Sequence, residues 1–453
     1  MKNPQKPASA TGETRRSFLK KTATVAALAS TPALLRTPVY GQNQAPSANV
    51  TGANDRIVVG VIGTGKQGTE HLKIFKREAA DQNIAVGAVC DLYEKHLNGA
   101  KAFAGLTDKD AFRDHRRLLE RKDLDAVLIA AVDNWHGQCS LDALDAGKHV
   151  YCEKPMTRYA AEGWAVYDKV KSTGKVYQCG SQYTADPMIH KVAEWVKAGK
   201  LGPLVWAQGS YGRNNKNNSE WTFPSDPDAS PANLDWERWQ GRAPKLPWTP
   251  DRYFSWHKYY AYNSGILGNL LSHRFYPLML ATGNPEFPRR VVCTGTYKVS
   301  TDREISDTTH VLAEFPSGLT FVIVGSTVNE QGLPDIIRGR KATVYLASSA
   351  NRAELKPEKL FAEEMDVEEF SDPAPYGKID NLHKDFYRVI RNGGTTFCNV
   401  DLSVRGNTVL CLAETSERLG LAVFFDEKTR TIRNGEGKVV QPLSYDTVVP
   451  KLA

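Results

Sequence analysis

The sequence predicts an α/β protein of two domains, in which a parallel sheet covered by helices on both faces precedes an α+β domain. Short apolar strands alternate with helical patterns between residues 56 and 180, as repeated βα units do. From residue 181 onward, strand-like runs instead alternate apolar and polar residues with a period of two. The length of 453 residues is sufficient for two such domains.

The first βα unit carries a glycine-rich turn between a strand and a helix. A buried strand at Ile57–Ile62 leads directly into the GxGxxG motif of residues 63–68, and a helical pattern follows. A second buried strand, Ile84–Cys90, ends at Asp91, at about the spacing of 20 residues that a dinucleotide-binding unit requires. This order predicts a Rossmann domain over residues 56–180.

Each part of this unit has a predicted role in holding a dinucleotide. The glycines let the backbone approach the pyrophosphate, and the helix N-terminus presents amide groups and a positive dipole end to it. Asp91 is predicted to accept hydrogen bonds from the ribose hydroxyls and to repel a 2′-phosphate, which favours NAD over NADP. The predicted cofactor-binding residues of this unit are Gly63, Gly65, Lys66, Gln67, Gly68 and Asp91.

Polar residues follow the later strands of the predicted sheet. The strands are Ala126–Val132, Lys148–Cys152 and Val176–Cys179. Ligands of parallel sheets bind beyond the carboxyl ends of the strands, so the turns at 133–136 and 153–155 are predicted to face the cofactor. Lys154 precedes a proline, which favours an extended backbone and makes this bond a candidate for the cis isomer. The predicted contacts are Asp133, Asn134, His136, Glu153 and Lys154, with His136 reaching cofactor or substrate.

The second domain, predicted over residues 181–453, combines strands with closing helices. Its strands are predicted at Leu204–Gln208, Arg290–Thr296, His310–Phe315, Leu319–Ser326 and Thr343–Leu346. Helices are predicted at 266–280, 378–391 and 401–419. On the first of these helices, Asn269, His273 and Tyr276 share one face by their spacing, which makes them candidates for substrate contact.

An aromatic segment precedes that helix. Residues 221–262 contain five of the nine tryptophans. Such rings either pack against the apolar faces of a sugar or pin a long loop to the domain, and both interpretations stay open for most of them. Arg252, Tyr253, Trp256 and His257 are the favoured substrate contacts, because they lie just before the helix of His273.

The N-terminus matches an export signal. Residues 14–20, Thr-Arg-Arg-Ser-Phe-Leu-Lys, fit the twin-arginine pattern, and a weakly apolar stretch then leads to Gly41. The sequence therefore predicts a signal peptide over 1–41, a linker over 42–55, passage through the twin-arginine export machinery, and a periplasmic or other extracytoplasmic location. That route carries folded proteins, often with a cofactor already bound.

Charge and cysteine content exclude several classes of protein. The net charge is +7, but nearly all of it lies in residues 1–41, so the body carries no electrostatic footprint for nucleic acid. No run of about 18 apolar residues follows the first forty, which argues against an integral membrane bundle. The seven cysteines are scattered without a CxxC pair, so neither a disulfide framework nor a metal site is predicted.

The motifs together resemble the Gfo/Idh/MocA oxidoreductases, which include glucose–fructose oxidoreductase and inositol dehydrogenase. The resemblance rests on the GxGxxG turn, Asp91, and the turns at 134–136 and 153–155. It extends to the segments 234–239, 265–273, 381–386 and 417–420, and so to nearly everything after residue 56. It implies an open, mostly antiparallel C-terminal sheet, association of copies through that sheet, and a catalytic His273. Family members commonly carry an Asp one turn before this histidine, where this chain has Asn269.

This resemblance implies an exported NAD(P)-dependent oxidoreductase that moves hydride between its cofactor and a hydroxyl of a sugar, polyol or glycoside. Lys154 and His273 are its predicted catalytic residues. NAD is expected to be tightly bound, because no soluble pool of it exists outside the cytoplasm. Two alternatives stay open. One is an NAD-dependent glycosidase that oxidises C3 transiently, eliminates the aglycone and ends redox-neutral; the other is a non-catalytic sugar-binding protein.

Overall fold

The computed structural model describes residues 55–217, 220–373 and 377–447. The predicted signal peptide and nearly all of the predicted linker lie outside the described residues. Within the described part, no helix is both long enough and apolar enough to cross a membrane.

The N-terminal domain is a six-stranded parallel sheet in the order β3-β2-β1-β4-β5-β6. Chain order reverses at β1, so a crevice opens beyond the carboxyl ends of β1 and β4, where ligands of doubly wound sheets bind. The strands are β1 Ile57–Ile62, β2 Ile84–Cys90, β3 Ala111–Phe112, β4 Ala126–Ile129, β5 His149–Cys152 and β6 Tyr177–Cys179. The helices are α1 Lys66–Glu78, α2 Glu94–Ala104, α3 His115–Leu119, α4 Asp133–Asp145 and α5 Ala160–Thr173.

The C-terminal domain is a ten-stranded sheet in the order β14-β13-β12-β11-β7-β10-β9-β8-β15-β16. Of the pairs formed by the described residues, β7 with β10 is parallel and the others are antiparallel, which confirms the predicted architecture. The strands are β7 Leu204–Gly212, β8 Arg290–Thr296, β9 Thr308–Glu314, β10 Thr320–Ser326, β11 Asp335–Gly339, β12 Ala342–Ala347, β13 Arg352–Pro357, β14 Glu368–Ser371, β15 Val423–Asp426 and β16 Thr431–Asn434.

The remaining helices are α6 Pro187–Lys197, α7 Trp236–Trp239, α8 Pro250–Phe254, α9 Ser272–Ala281, α10 Ile379–Asn392 and α11 Val400–Leu419. Of these, α6, α9 and α11 contact the large sheet, and α11 also packs against α5 of the N-terminal domain. Apolar residues of α10, Leu382 and Phe386, share a core cluster with Leu72 and Phe75 of α1. A helix from the end of the chain thus closes one face of the first sheet.

The opposite face of the large sheet is partly open. Leu312 of β9 and Tyr345 of β12 are 38% and 43% exposed on it. The association of copies through this sheet stays a prediction.

A buried ion pair joins the turn after β5 to α11. The guanidinium of Arg158 donates to both carboxylate oxygens of Glu414, at 2.6 and 2.8 Å, and both side chains are at most 1% exposed. The same guanidinium donates from Nε and Nη2 to the carbonyl oxygen of Tyr260, at 3.1 and 2.8 Å. A bidentate pair of this kind fixes direction as well as distance. It therefore ties the Lys154 turn to two parts of the C-terminal segment.

We predict that Glu414→Leu lowers the free energy of unfolding by about 3–5 kcal/mol, because it leaves the Arg158 guanidinium buried without its counter-charge. The double variant Arg158→Met/Glu414→Leu should recover most of the loss, since neither charge of this pair then remains. Urea unfolding of the three proteins measures this. An exposed ion pair contributes about 1 kcal/mol or less. A loss below this value for Glu414→Leu would therefore contradict the role of Glu414 as the buried counter-charge of Arg158.

Candidate functional site

A cavity of about 900 Å³ lies at the crevice of the N-terminal sheet. Its walls include the glycine-rich turn, Asp91, and the turns that follow β4 and β5. The C-terminal domain contributes mainly the loop after β7 (213–215 and 220–223), residues 253–257 and residues 269–273, together with Gln182, Arg238, Trp239 and Ile379. Most of the predicted site residues line this cavity; Gly68, Asn134, Arg252 and Tyr276 do not.

Each of the three glycines of the motif is required for a different structural reason. Gly63 has a φ of +84°, and a Cβ there would lie 2.5 Å from the backbone nitrogen of Ala131. A Cβ on Gly68 would overlap the carbonyl oxygen of Gly63, so this glycine packs helix against strand. A Cβ on Gly65 would meet no atom nearer than 3.7 Å, at His96, and would project into the cavity. Gly65 is therefore where the backbone leaves room for a ligand.

Helix α1 begins at the cavity without a cap of its own. Gly65 provides no side-chain hydrogen bond, and the first turn contains no acidic residue. The N-terminal amides and the positive end of the dipole are therefore available to an anion, as a pyrophosphate requires. These features fit the dinucleotide that the motif implies.

Asp91 has a structural role besides its predicted one. Its Oδ2 accepts a hydrogen bond from the backbone N–H of Thr64, at 2.7 Å, and its Oδ1 accepts one from the N–H of Tyr93, at 2.9 Å. The Thr64 hydroxyl also donates to Oδ2, at 3.2 Å. A carboxylate can accept about four hydrogen bonds, so one lone pair remains for a ribose hydroxyl. The carboxylate thus holds the glycine-rich turn and faces the cavity at the same time.

The turn after β4 places its two predicted site residues differently. Asn134 is buried outside the cavity wall, and its amide donates to the carbonyl oxygen of Gln240, at 3.0 Å, so it anchors the aromatic segment. His136 lines the cavity, and its ring nitrogens lie 2.7 Å from the carbonyl oxygen of Pro155 and 3.0 Å from that of Ala131. The imidazole is therefore engaged by the backbone of two neighbouring turns, and its contact with cofactor or substrate stays a prediction.

The electrostatics around His136 favour a charged ring. Burial disfavours the charged form, but the neighbouring Cys152, Asp133 and the Pro155 carbonyl outweigh it and raise the pKa of His136 to about 10. Burial raises the pKa of Asp133, whose Oδ2 has no hydrogen-bond partner among the described residues. Asp133 lines the cavity, so this oxygen is available to a ligand.

In the turn after β5, the side chains of Lys154 and Glu153 have different partners. Lys154 donates from Nζ to the backbone carbonyl of Asn269, at 3.2 Å, and its bond to Pro155 is cis. Glu153 Oε2 accepts from the backbone N–H of Lys154, at 3.1 Å, and its Oε1 accepts from Gln67 Nε2, at 3.2 Å. Lys154 thus reaches across to the C-terminal domain, whereas Glu153 and Gln67 bind one another.

His273 enters the cavity at the start of α9. Its ring packs between Tyr183 and Tyr211, with centroid distances of 5.2 and 5.7 Å, and its Nδ1 has no hydrogen-bond partner among the described residues. Burial, together with the charges of Lys154 and Arg274, lowers the pKa of His273 well below its ordinary value. The ring is therefore a neutral, buried proton acceptor.

Asn269 and Tyr276 do not act on this ring as their spacing suggested. A π-helical turn at Leu267–Leu271 precedes α9, and the amide of Asn269 donates backwards to Asn263 Oδ1 and the Gly265 carbonyl, at 3.1 and 3.2 Å. Tyr276 is fully buried and its hydroxyl accepts from the N–H of Met156, at 3.4 Å. It belongs to the core against α11, so the prediction that it binds substrate is wrong.

The aromatic segment divides between a pinned loop and a cavity wall. Tyr253 and Trp256 line the cavity, as predicted. Arg252 instead places its guanidinium over the ring of Tyr259, at 4.4 Å, outside the cavity wall. His257 stacks on Trp256, with centroids 3.8 Å apart. Most of the other rings form a core cluster: Trp236, Trp239, Tyr262 and partly buried Trp248, Phe254 and Tyr259. Trp239 and Phe254 also line the cavity, so the pinned-loop interpretation is supported for the remaining four.

Several residues of the cavity carry no signal in the sequence. Arg213 and Glu220 pair at 2.6 Å on its C-terminal side, but they belong to no motif. His71 was also missed: it donates or accepts at Glu153, 2.9 Å away, and lies four residues after Gln67. That i,i+4 spacing from a cavity residue was the signal that could have found it.

Two family models match the chain along most of its length. One, described as "Oxidoreductase family, NAD-binding Rossmann fold", covers residues 57–181, and the other, "Oxidoreductase family, C-terminal alpha/beta domain", covers residues 188–442. The chain belongs to the Gfo/Idh/MocA oxidoreductase family. It is therefore an NAD-binding oxidoreductase, as the motifs predicted.

Relatives within the family include dehydrogenases and a glycosidase. Inositol 2-dehydrogenase of Salmonella paratyphi B is 28% identical over 153 residues, which are 34% of this chain and 45% of the relative. A "Glycosyl hydrolase family 109 protein" of Shewanella pealeana is 28% identical over 44% of this chain and 45% of its own. The matches thus span less than half the length of these relatives.

A solved structure shares the fold over a longer stretch. Levoglucosan dehydrogenase, in complex with NADH and levoglucosan, superposes with a TM-score of 0.63 over 82% of this chain and 99% of that one. Its sequence is 17% identical to this chain, so the likeness shows only that the two proteins share a fold. It does not show which substrate this chain acts on.

We predict that Gly65→Ala weakens NAD binding roughly ten- to a hundredfold while leaving the thermal midpoint within a few degrees of wild type, because its methyl group meets ligand space and not protein. Gly68→Ala is the matched contrast, since its methyl overlaps backbone and should lower the midpoint strongly. Calorimetric titration with NAD and thermal unfolding measure both effects. Wild-type affinity in folded Gly65→Ala would place the pyrophosphate elsewhere.

Proposed function

We propose that this chain oxidises a secondary hydroxyl of a sugar, polyol or glycoside. The observation that carries the proposal is that Lys154 and His273, from different domains, meet at one cavity beside the glycine-rich turn. A cation and a neutral imidazole are the two groups that removal of a hydroxyl proton needs. The names of inositol 2-dehydrogenase and levoglucosan dehydrogenase place polyol and sugar chemistry within the family.

Each group has one task in the proposed reaction. NAD, held by the glycine-rich turn and Asp91, supplies the hydride acceptor when bound. His273 accepts the hydroxyl proton on its neutral imidazole, and Lys154 stabilises the negative charge that develops on the oxygen. The carbonyl of Asn269 holds the Lys154 ammonium by one hydrogen bond and leaves two protons for the substrate. The secondary alcohol becomes a ketone, one proton is released and hydride leaves carbon.

Aromatic residues of the cavity supply the shape that a carbohydrate requires. Trp256 and Tyr253 line the side of the cavity that the C-terminal domain forms, and sugars pack their apolar faces against such rings. We further propose that NAD stays bound between turnovers, and that the reduced cofactor returns its hydride to the carbonyl group of a second sugar before the next oxidation. A cofactor that is not exchanged suits a protein that works outside the cytoplasm.

A redox-neutral glycosidase is the second candidate function. Elimination from a transient ketone needs a second proton-transfer group, and His257 lines the same cavity with an Nδ1 that has no partner among the described residues. Burial and the charge of Lys154 lower the pKa of His257 to about 3, so this imidazole is neutral. The glycosyl hydrolase relative supports this candidate. After water has added, the reduced cofactor would return its hydride to the ketone. The hydroxyl would thereby be restored, and NAD would not be consumed.

An extracytoplasmic location is part of the proposal. The twin-arginine pattern at residues 14–20 supports it, since the arginine pair, the following Phe-Leu-Lys and the apolar run occur in the order of such signals.

We predict that Lys154→Met lowers the single-turnover rate of cofactor reduction roughly 10²–10⁴-fold, because it removes the charge that stabilises the developing alkoxide. His273→Ala should fall in a similar range. The double variant should lose less than the product of the two effects, since the groups act as a unit. The assay follows the absorbance of reduced nicotinamide after holo-protein is mixed with a panel of polyols, sugars and aryl glycosides.

Product analysis in the same assay separates the candidates. A ketosugar with stoichiometric reduced cofactor indicates a dehydrogenase, free aglycone with NAD unchanged indicates a glycosidase, and binding without either product indicates a sugar-binding protein. Lys169→Met, on the exposed side of α5, is the control and should react as wild type. Full activity of Lys154→Met on a confirmed substrate would remove Lys154 from the reaction.

We predict that replacing Arg15 and Arg16 by Lys retains full-length precursor in the cytoplasm, because the signal depends on the guanidinium pair and not on charge alone. Cell fractionation and immunoblotting measure the distribution and the size of the protein. Normal export of the double variant would exclude the twin-arginine assignment.

A further inference from the structure

Three buried side chains form a continuous chain beneath the cavity. His383 of α10 lies 2.8 Å from His71 of α1, between Nε2 and Nδ1, and His71 Nε2 lies 2.9 Å from Glu153 Oε1. His71 and His383 are at most 1% exposed, and Glu153 is 6% exposed. The proposed reaction makes no use of either histidine.

The surroundings of Glu153 favour the carboxylate form of this side chain. Its Oε2 accepts from the backbone N–H of Lys154, which can only donate, and its Oε1 lies within hydrogen-bond distance of Gln67 Nε2 and His71 Nε2. A carboxylate accepts all three of these hydrogen bonds at once. Burial alone would raise the pKa of Glu153, but the hydrogen bond from His71, the charge of Lys154 and the hydrogen bond from its backbone N–H hold it below its ordinary value.

The room around the carboxylate is equally restricted. A Cβ on Gly180 would lie 2.8 Å from the Glu153 carboxyl carbon. The side chain therefore has one place to lie, and its hydrogen-bond partners determine its direction.

The direction of the hydrogen bonds follows along the chain. Because Glu153 accepts, His71 donates from Nε2. A neutral His71 then accepts at Nδ1, so His383 donates from its own Nε2. The remaining nitrogen, His383 Nδ1, has no partner among the described residues, and burial lowers the pKa of His383 well below its ordinary value, which keeps this ring neutral.

We propose that His71 and His383 are positioning residues that hold Glu153 as an oriented carboxylate and thereby set the backbone of the Lys154 turn against the cofactor helix. The chain joins three elements: α10 from the end of the sequence, α1 with its phosphate-facing N-terminus, and the turn after β5. The inference rests on the proposed function in that Lys154 is taken as the reacting cation. The proposal makes His383, which lies more than 200 residues after the Lys154 turn, one of the residues that determine the geometry of that turn.

Simple packing is the competing interpretation. His383 stacks on His71 and on Phe75, each with centroids 4.9 Å apart, so both histidines also fill the core. Packing requires ring or apolar bulk, whereas positioning requires a donor at one atom. The two interpretations therefore differ for a substitution that keeps a donor and for one that does not.

The first test measures NAD affinity by calorimetric titration without any sugar. We expect His71→Leu, which lies outside the cavity wall, to weaken NAD binding roughly ten- to a hundredfold, the usual effect of losing a buried supporting hydrogen bond. His71→Gln, which keeps a donor near the position of Nε2, should restore most of the affinity. Tyr387→Phe is the matched control: it removes a buried hydroxyl without a partner from the same layer and should bind NAD as wild type.

Two outcomes of this test overturn the proposal: wild-type affinity in folded His71→Leu, or equal losses in His71→Leu and His71→Gln. If His71→Leu does not fold, His71→Met takes its place. That variant fills the site with flexible apolar bulk but has no donor, so it should weaken NAD binding by a similar factor, and unchanged affinity would refute the assignment.

The second test reads the tautomers directly. The sequence contains ten histidines, few enough for nuclear magnetic resonance of protein labelled with ¹⁵N in histidine. Disappearance of signals in His71→Gln assigns the ring. We expect a protonated Nε2 on His71 in the apo-protein, and an unprotonated Nε2 would overturn the proposal. Neither test uses a substrate, so failure of the sugar-oxidation proposal would appear separately, as absent turnover with this hydrogen-bonded chain intact.

Discussion

The pairing of Arg158 with Glu414 is the interaction on which the site depends. Lys154 and His273 belong to different domains, so the proposed chemistry requires that the two domains be held at one distance. Arg158 achieves this four residues after Lys154, where its guanidinium binds Glu414 of α11 and the backbone carbonyl of Tyr260. Charges removed from water favour a partner at fixed geometry far more than exposed charges do, which makes this contact directional.

The site combines unlike charge environments within one cavity. On the cofactor side, Asp91 and the uncapped N-terminus of α1 offer an acceptor for hydroxyls and donors for phosphate. On the substrate side, burial and nearby cations keep His273 neutral. A neutral base beside a cation can take a proton while the remaining charge is stabilised, which is the arrangement that alcohol oxidation requires.

Predictions from motifs succeeded where the backbone itself carries the function. The glycine-rich turn, Asp91 and Lys154 lie where their order along the strands placed them, since the carboxyl ends of parallel strands converge whatever the side chains are. Predictions from side-chain type were less secure. Asn134 and His136 are polar residues at the right edge of the sheet, yet neighbouring backbone groups engage them. A buried polar group bonds to the nearest partner, and the sequence does not show which partner that is.

The sequence by itself determined the parallel sheet, the dinucleotide turn and the alternating strands, because strand–helix order and hydrophobic periodicity are local properties. The tertiary structure alone decided that Tyr276 joins the core while His273 faces the cavity, since a π-helical turn and the packing of α11 determine the rotation of α9. It alone placed His383 beside His71 and Glu153. Such contacts join residues far apart in the chain, and their distances follow from packing, which no local pattern encodes.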